Sequence, residues 1–304
     1  NFTHSTDYDA NNIGNIDISV WVEFANDEDH SNDTLSSIIT VLSSIPNKIT
    51  VGEERTGTWC GWCPRGAVFM ERAESTYEQY FQGIAVHNGD PMTNSIYDGG
   101  MGTLISGYPS ALVMRGADID PSAILDPIAT SLQIAPKGLL VNGAQYDDQT
   151  NVLEVSIEVN LEENINSSWK IACAIVENGV TGTGTNFGQS NYYAGGDNGE
   201  MGGYESLPGT VPAADMVYEE VARAIMPNFA GYSGFDDINT MGGSKVFNFS
   251  FAMDADWNMD EMHIVGLFIS DNGSIDNASS TTIDEAIDHG FQEGKVVLGL
   301  EDNE

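Results

Sequence analysis

The chain has 304 residues, 41% of them hydrophobic, enough for two or three domains with buried cores and too apolar for general disorder. Its 46 acidic against 10 basic side chains give a formal net charge of −36, which argues against nucleic acid and anionic membrane surfaces, since both need clustered Lys and Arg. No apolar run approaches the ~18 residues of a membrane helix, and the start at Asn1, without leader or Met, reads as a cut from something longer.

The charge is uneven along the chain. Residues 1–46 hold 8 acidic and no basic side chains, residues 47–136 hold 10 and 5, and residues 137–304 hold 28 and 5. The middle is nearly ordinary and the flanks carry the acid. Such flanks read as a solvated extracellular surface, with calcium binding at acidic loops as the sharper alternative.

Residues 1–46 read as strands only. Ile16–Phe24 alternates as a half-buried strand, an acidic turn covers Asn26–Asn32, and a second strand runs from about Thr34 to Leu42. Two strands bury no core alone, so this piece is expected to be the end of an immunoglobulin-like β domain whose earlier strands are missing, with Pro46 as linker. From Lys48 the pattern changes to alternating strands and helices. Strands are predicted at Ile49–Thr56, Gln82–His87 and Ser110–Met114, and helices from Cys60 to about Tyr80, at Thr93–Ile105 and at Pro121–Leu132.

Residues 137–304 return to period-2 alternation, at Val152–Val159 and Lys245–Ala252, with more apolar, central strands at Ile171–Val176 and His263–Ile269. One helix is predicted at Ala214–Ile225. The Gly- and Asn-rich stretch Thr181–Gly209 is too long for an ordinary connection and is expected to be functional or mobile. The predicted fold class is therefore α/β plus all-β: 1–46 the immunoglobulin-like segment, 47–136 an α/β domain, 137–304 a β-sandwich-like domain.

Of three cysteines, Cys173 stands in an alternating apolar run and reads as a buried strand residue. Cys60 and Cys63 form Trp59-Cys60-Gly61-Trp62-Cys63-Pro64. Two cysteines cannot scaffold a chain of this length, and a zinc site would need a second pair at metal spacing. The chemistry left is redox. A thiol at a helix N-terminus feels the dipole and free backbone N–H groups, which lowers the Cys60 pKa towards ~7 and makes it a nucleophile. Cys63, one turn deeper, can close a disulfide and act as resolving thiol. Pro64 fits the early helix, where its missing N–H costs nothing.

The order strand, redox turn, helix, strand, helix, X-Pro, strand, helix resembles a thioredoxin fold over residues 48–134. That resemblance implies that Glu54 is a buried acid beneath the disulfide, with a raised pKa, exchanging a proton with Cys63. By strand alternation Glu53 is then expected to point to solvent. The resemblance also implies a cis peptide bond at Tyr108-Pro109 facing the disulfide, Tyr108 offering its backbone to an extended substrate. Trp59 and Trp62, flanking the cysteines, complete the candidate substrate-binding set. His87 lies on a strand ending at the same edge, where it either serves the Cys60 thiolate or caps the turn with Asp90.

The segments Glu53–Gly66, Val86–Met92, Gly107–Ser110, Val217–Ala224 and Trp257-Asn258 resemble a narrower group, over about residues 47–290. This is an outer-membrane family of Gram-negative bacteria that joins a thioredoxin-like domain to a β-rich one, many members leaving by type IX secretion. The resemblance implies a secreted, cell-surface or outer-membrane location, possession of a redox disulfide, no required cofactor, and protein or peptide thiols and disulfides as partners, alongside surface or secretion partners. Asp254, Asp256, Asn258 and Asp260 imitate the spacing of a calcium loop, but Met259 and Val265 stand where an EF-hand needs Gly and Glu. A solvated turn is the plainer reading there. Two functions follow: a surface thiol–disulfide oxidoreductase, or a non-catalytic binding, adhesion or structural protein that keeps a closed disulfide.

Overall fold

The alternation at the N-terminus builds a hairpin: β1 (Gly14–Trp21) pairs antiparallel with β2 (Thr34–Val41), Ile18 opposite Ser37. The computed structural model describes residues 14–21, 23, 33–41 and 45–299. Phe24, the turn Asn26–Asn32 and Leu42 fall outside them. Chain contacts divide the protein at Pro46, into Asn1–Pro46 and Asn47–Glu304, where the sequence places its linker.

The second unit opens with β3 (Thr50–Thr56), α1 (Pro64–Tyr77), β4 (Phe81–His87), α2 (Ser95–Met101), β5 (Ser110–Val113) and α3 (Leu125–Ser131). Pro64 begins α1, so the helix starts after the cysteine pair and Cys63 is its N-cap. Its buried face is Pro64, Gly66, Met70 and Ala73, one stripe at helical spacing. The Asn94 side chain caps α2, accepting from Tyr97 N at 2.9 Å. β3 runs parallel to β4 and antiparallel to β5.

Then follow β6 (Gly138–Asp147), β7 (Val152–Leu161), β8 (Lys170–Glu177), β9 (Gln189–Ser190), β10 (Thr210–Val211), β11 (Val221–Met226) and β12 (Tyr232–Ser233). β13 (Ser244–Ala252), β14 (Met262–Ile269), β15 (Ile275–Thr282), α4 (Ile283–His289) and β16 (Val296–Gly299) complete the order. The helix expected at Ala214–Ile225 is not there. A 3-10 turn covers Ala213–Asp215, and β11 pairs antiparallel with β8 and meets β4 in parallel at Val221–Ala85. Helix-forming Ala and Met residues yield because this position joins two sheet halves, and sheet pairing overrides propensity.

One sheet therefore runs β15-β14-β8-β11-β4-β3-β5, with β12 added on β8, and a second runs β16-β13-β7-β6. The boundary expected at 136/137 has no counterpart in it, since β11 stitches β4 to β8. Alternation along β8 explains the layers. Ile171, Cys173 and Ile175 enter a core with Val155, Ile157, Phe247 and Phe249 of the small sheet. Ala172, Ala174 and Val176 share the opposite core with Val51, Ile84, Val86, Met70 and Ile124. The free Cys173 is buried, as its apolar run predicts, and burial pushes its thiol pKa up.

Glu53 corrects the alternation argument. It is fully buried, gripped by Arg115 Nε at 3.0 and 3.1 Å and Nη2 at 2.9 Å, and its Oε1 accepts from Tyr97 Oη at 2.7 Å. β3 is an inner strand covered on both faces, so Glu53 is buried on the face opposite Glu54.

Candidate redox site

The turn between β3 and α1 holds Cys60 and Cys63 as a disulfide, Cα–Cα 5.3 Å, χ3 86°. Its backbone is tightened by Cys60 N to Gly57 O at 3.0 Å and Cys63 N to Cys60 O at 3.2 Å. Both cysteines are covered, at 5% and 2% exposed, while Trp59 and Trp62 beside them stand out at 51% and 40%. Trp59 donates Nε1–H to Asn88 O at 2.6 Å and meets the Tyr108 ring edge-on, 5.0 Å between centroids. The Arg55 guanidinium lies 4.6 Å over that same Tyr108 ring. The Tyr108–Pro109 peptide is cis, at the entrance to β5. Trp59, Tyr108 and Pro109 thus come together at one rim, with Trp62 on another side.

Behind the disulfide lies a cavity of about 350 Å³, lined by Cys63, Glu54, His87 and Glu220 among others. Glu54 is buried with Oε1 unpartnered. Burial raises its pKa to about 8, against a smaller opposing effect of the Thr56 side-chain hydrogen bond. Its carboxyl packs where a Cβ of Gly66 would lie, 1.6 Å from Oε1, so this helix position must be glycine for the acid to seat as it does. His87 is buried, with Nδ1 2.6 Å from Asp90 Oδ2 and its ring edge-on to Tyr218. Asp90 also accepts from Thr58 N and Met92 N, both at 3.0 Å. The pair thus ties the cysteine turn to the turn after β4, and His87 also reaches the cavity.

A strap of the long Gly-rich stretch, absent from the sequence-level site, crosses the cysteine turn. Gln189 Nε2 donates to Cys60 O at 2.9 Å, Ser190 N to Thr58 O at 2.7 Å and Tyr192 N to Gly61 O at 2.8 Å. A Cβ on Gly61 would fall 2.5 Å from the Tyr192 ring, so the strap lies directly on it. Trp62 is boxed edge-on by Tyr192 and Tyr193, at 5.4 and 5.6 Å. The length of the stretch was the available signal, but pairing between Thr58–Gly61 and Gln189–Tyr192 has no local pattern. One net hydrogen bond contributes about 1 kcal/mol. Gln189→Ala should therefore expose Cys60 about fivefold more often, read as faster iodoacetamide labelling of the reduced protein. An unchanged labelling rate would mean that the strap does not limit access.

The acidic turn after β13 behaves differently. Asp254 Oδ1 accepts from Asp256 N at 3.0 Å, and Asn258 caps the 3-10 turn Met259–Glu261 while its N–H bonds Glu177 Oε1 at 2.9 Å. These side chains serve their own turn. Among the described residues no three His, Cys, Asp or Glu side chains are grouped to hold a metal, and no helix is long and apolar enough to cross a membrane.

A family model described as outer membrane protein Omp28 matches residues 103–286. No curated protein matches the chain. Among solved structures, HBP35 of Porphyromonas gingivalis is similar at 16% identity and TM-score 0.55, over 82% of this chain and 79% of that one. A protein of Agrobacterium tumefaciens is similar at 13% identity and TM-score 0.45, over 80% and 97%.

Proposed function

We propose a function from one premise: the chain belongs to the outer membrane protein Omp28 family, whose model matches more than half of it. Its place is the outer membrane or cell surface of a Gram-negative bacterium. There we read residues 48–134 as thioredoxin-like and the protein as a thiol–disulfide oxidoreductase acting on protein or peptide thiols and disulfides. The observation that carries this reading is Glu54, a buried acid with no cation beside it and one carboxyl oxygen unpaired, sharing a cavity with Cys63. The β4-β3-β5 order with the cysteine turn before α1, and the cis peptide before β5, support it.

The exchange runs as follows. A substrate thiolate attacks Cys60 Sγ, the Cys60–Cys63 bond breaks, and Cys63 leaves as a thiolate that takes the Glu54 proton. A second substrate thiolate then attacks the substrate sulfur of the mixed disulfide and Cys60 leaves as thiolate. The substrate is oxidised to a disulfide and the pair is reduced. Run backwards, the same groups reduce a substrate disulfide, with an external dithiol restoring the pair. Cys63→Ser should accumulate the mixed disulfide on Cys60 when the reduced protein meets insulin, seen as a DTT-sensitive adduct by mass spectrometry. Wild-type protein reducing insulin no faster than an equal amount of free dithiol would reject the reading.

The second reading, a non-catalytic binding, adhesion or structural protein, draws on the strap, which leaves the cysteines 5% and 2% exposed. Labelling that stays blocked after reduction would favour it.

A further inference from the structure

Four glutamates on or beside the central strands are buried: Glu53, Glu54, Glu177 and Glu220. Two have cations. Glu53 pairs with Arg115 at 2.9 Å and Glu177 with Arg223 at 2.6 Å. Glu54 and Glu220 have none, each keeps an unpartnered Oε1, and both line the cavity behind Cys63. No Lys or Arg is among the residues lining that cavity.

Glu220 is held there against local preference. It sits in the left-handed region at φ 57, which costs a non-glycine residue about 1 kcal/mol. Its N–H donates to Asn178 Oδ1 at 2.7 Å and its C=O accepts from Ala85 N at 2.6 Å, so both sides of its backbone are fixed. The carboxyl occupies the place of a Gly83 side chain, where a Cβ would lie 1.9 Å from Oε1. Strain over-determined by its surroundings, with one carboxyl oxygen left unpaired at the end of it, points to use rather than to packing.

Resting on the oxidoreductase reading, we propose that Glu220 is a proton-relay residue for Glu54, the two carboxyls forming one acidic pair behind Cys63. When Cys63 leaves as thiolate it takes the Glu54 proton, Glu54 takes one from Glu220, and Glu220 recovers one from solvent. In the reverse direction the proton leaves by the same route. Space of ~30 Å³ per water allows a short water chain between the carboxyls in a cavity of this size.

The neighbours suit the task. From α1, Glu71 and Glu74 line the cavity, and Glu219 lies next in sequence to Glu220. Tyr204, Tyr218 and His87 close the other sides. Burial first, then the charges of Glu74, Glu54 and Glu219, hold the Glu220 carboxyl well above the usual range. Glu74 is itself raised, by burial and then by Glu219 and Glu71, and with Glu71 and Glu219 it is exposed, so the cavity meets solvent at these residues.

The test uses the full chain in its disulfide form, with glutamate carboxyls labelled with carbon-13 and titrated by NMR, beside the rate of exchange with a reduced peptide dithiol. In wild type, Glu54 and Glu220 should titrate as a coupled pair in two steps. Glu220→Gln should leave one Glu54 step and slow exchange about 10-fold near pH 7. Glu220→Asp should keep two steps, which guards against a variant that merely folds badly. In a Glu54→Gln background, Glu220→Gln should slow nothing further, because the relay acts only through Glu54. A Glu54 titration and rate untouched by Glu220→Gln, or a slowing that persists in the Glu54→Gln background, overturns the relay while leaving the oxidoreductase reading intact. Wild-type protein that exchanges no disulfide overturns both.

Discussion

Glu54→Gln is expected to slow disulfide exchange roughly 10-fold or more near pH 7, the loss of one acid–base contribution. With a pKa of about 8, Glu54 is largely protonated at pH 7 and can give its proton to Cys63 as that sulfur leaves. Normalised to substrate thiolate, the wild-type rate should fall as pH rises through about 8, where the acid form disappears. The glutamine variant should show no such inflection, since an amide does not titrate there. Stability moves in a linked way. A carboxyl raised from its ordinary 4.5 to about 8 binds its proton more tightly in the folded state than in the unfolded one. Its contribution is therefore full below about pH 4.5 and is lost as pH rises through about 8. Glu54→Gln should flatten that decline, seen as a smaller drop in Tm between pH 5 and pH 9. Superimposable pH–rate profiles for the two proteins would remove Glu54 from the mechanism.

Much of this site was legible because its elements are local. The spacing Cys60–Cys63, Pro64 after it and Tyr108-Pro109 before a short strand are all written in consecutive residues. Glu54 entered through the thioredoxin resemblance, which places a buried acid six residues before Cys60 on the preceding strand. What failed is what depends on partners far away in sequence. Glu53 looked solvent-directed because alternation assumes one wet face, and nothing near it announces Arg115, 62 residues later. Ala214–Ile225 looked helical because the strand partners of its second half, β8 and β4, are separate elements, and β4 lies on the far side of the expected 136/137 boundary. The same segment hid Glu220, which on a helix would have been one surface acid among several. Gln189 and Tyr192 belong to a stretch whose fold is set by the backbone groups of Thr58 and Gly61 rather than by its own pattern.

The pair that alternation missed gives the largest stability effect. Arg115 is buried, and each nitrogen of its guanidinium has a partner: Nε and Nη2 on Glu53 and Nη1 on Phe229 O at 2.6 Å, with the Phe229 ring 3.7 Å from Cζ. Arg115 itself lies at φ 54, so the turn after β5 spends backbone freedom to aim this side chain inward. Arg115→Met would fill similar volume but leave the Glu53 carboxylate with Tyr97 Oη as its hydrogen-bond donor. Removing one partner of a buried ion pair costs about 3–5 kcal/mol, because the other charge stays buried and uncompensated. Replacing both is different, since a buried pair returns little net stability over a neutral substitute of like size. Glu53→Gln with Arg115→Met should therefore be markedly more stable than the sum of the single losses, a coupling of about 2 kcal/mol or more in a double-variant cycle. Urea unfolding of the four proteins at constant pH measures it. Single losses below about 1 kcal/mol, additive in the double variant, would mean that water reaches the pair and that it behaves like a surface ion pair. The expected result makes Glu53–Arg115 the clamp that joins β3, the turn after β5 and the segment at Phe229, and so fixes the strand on which Glu54 stands.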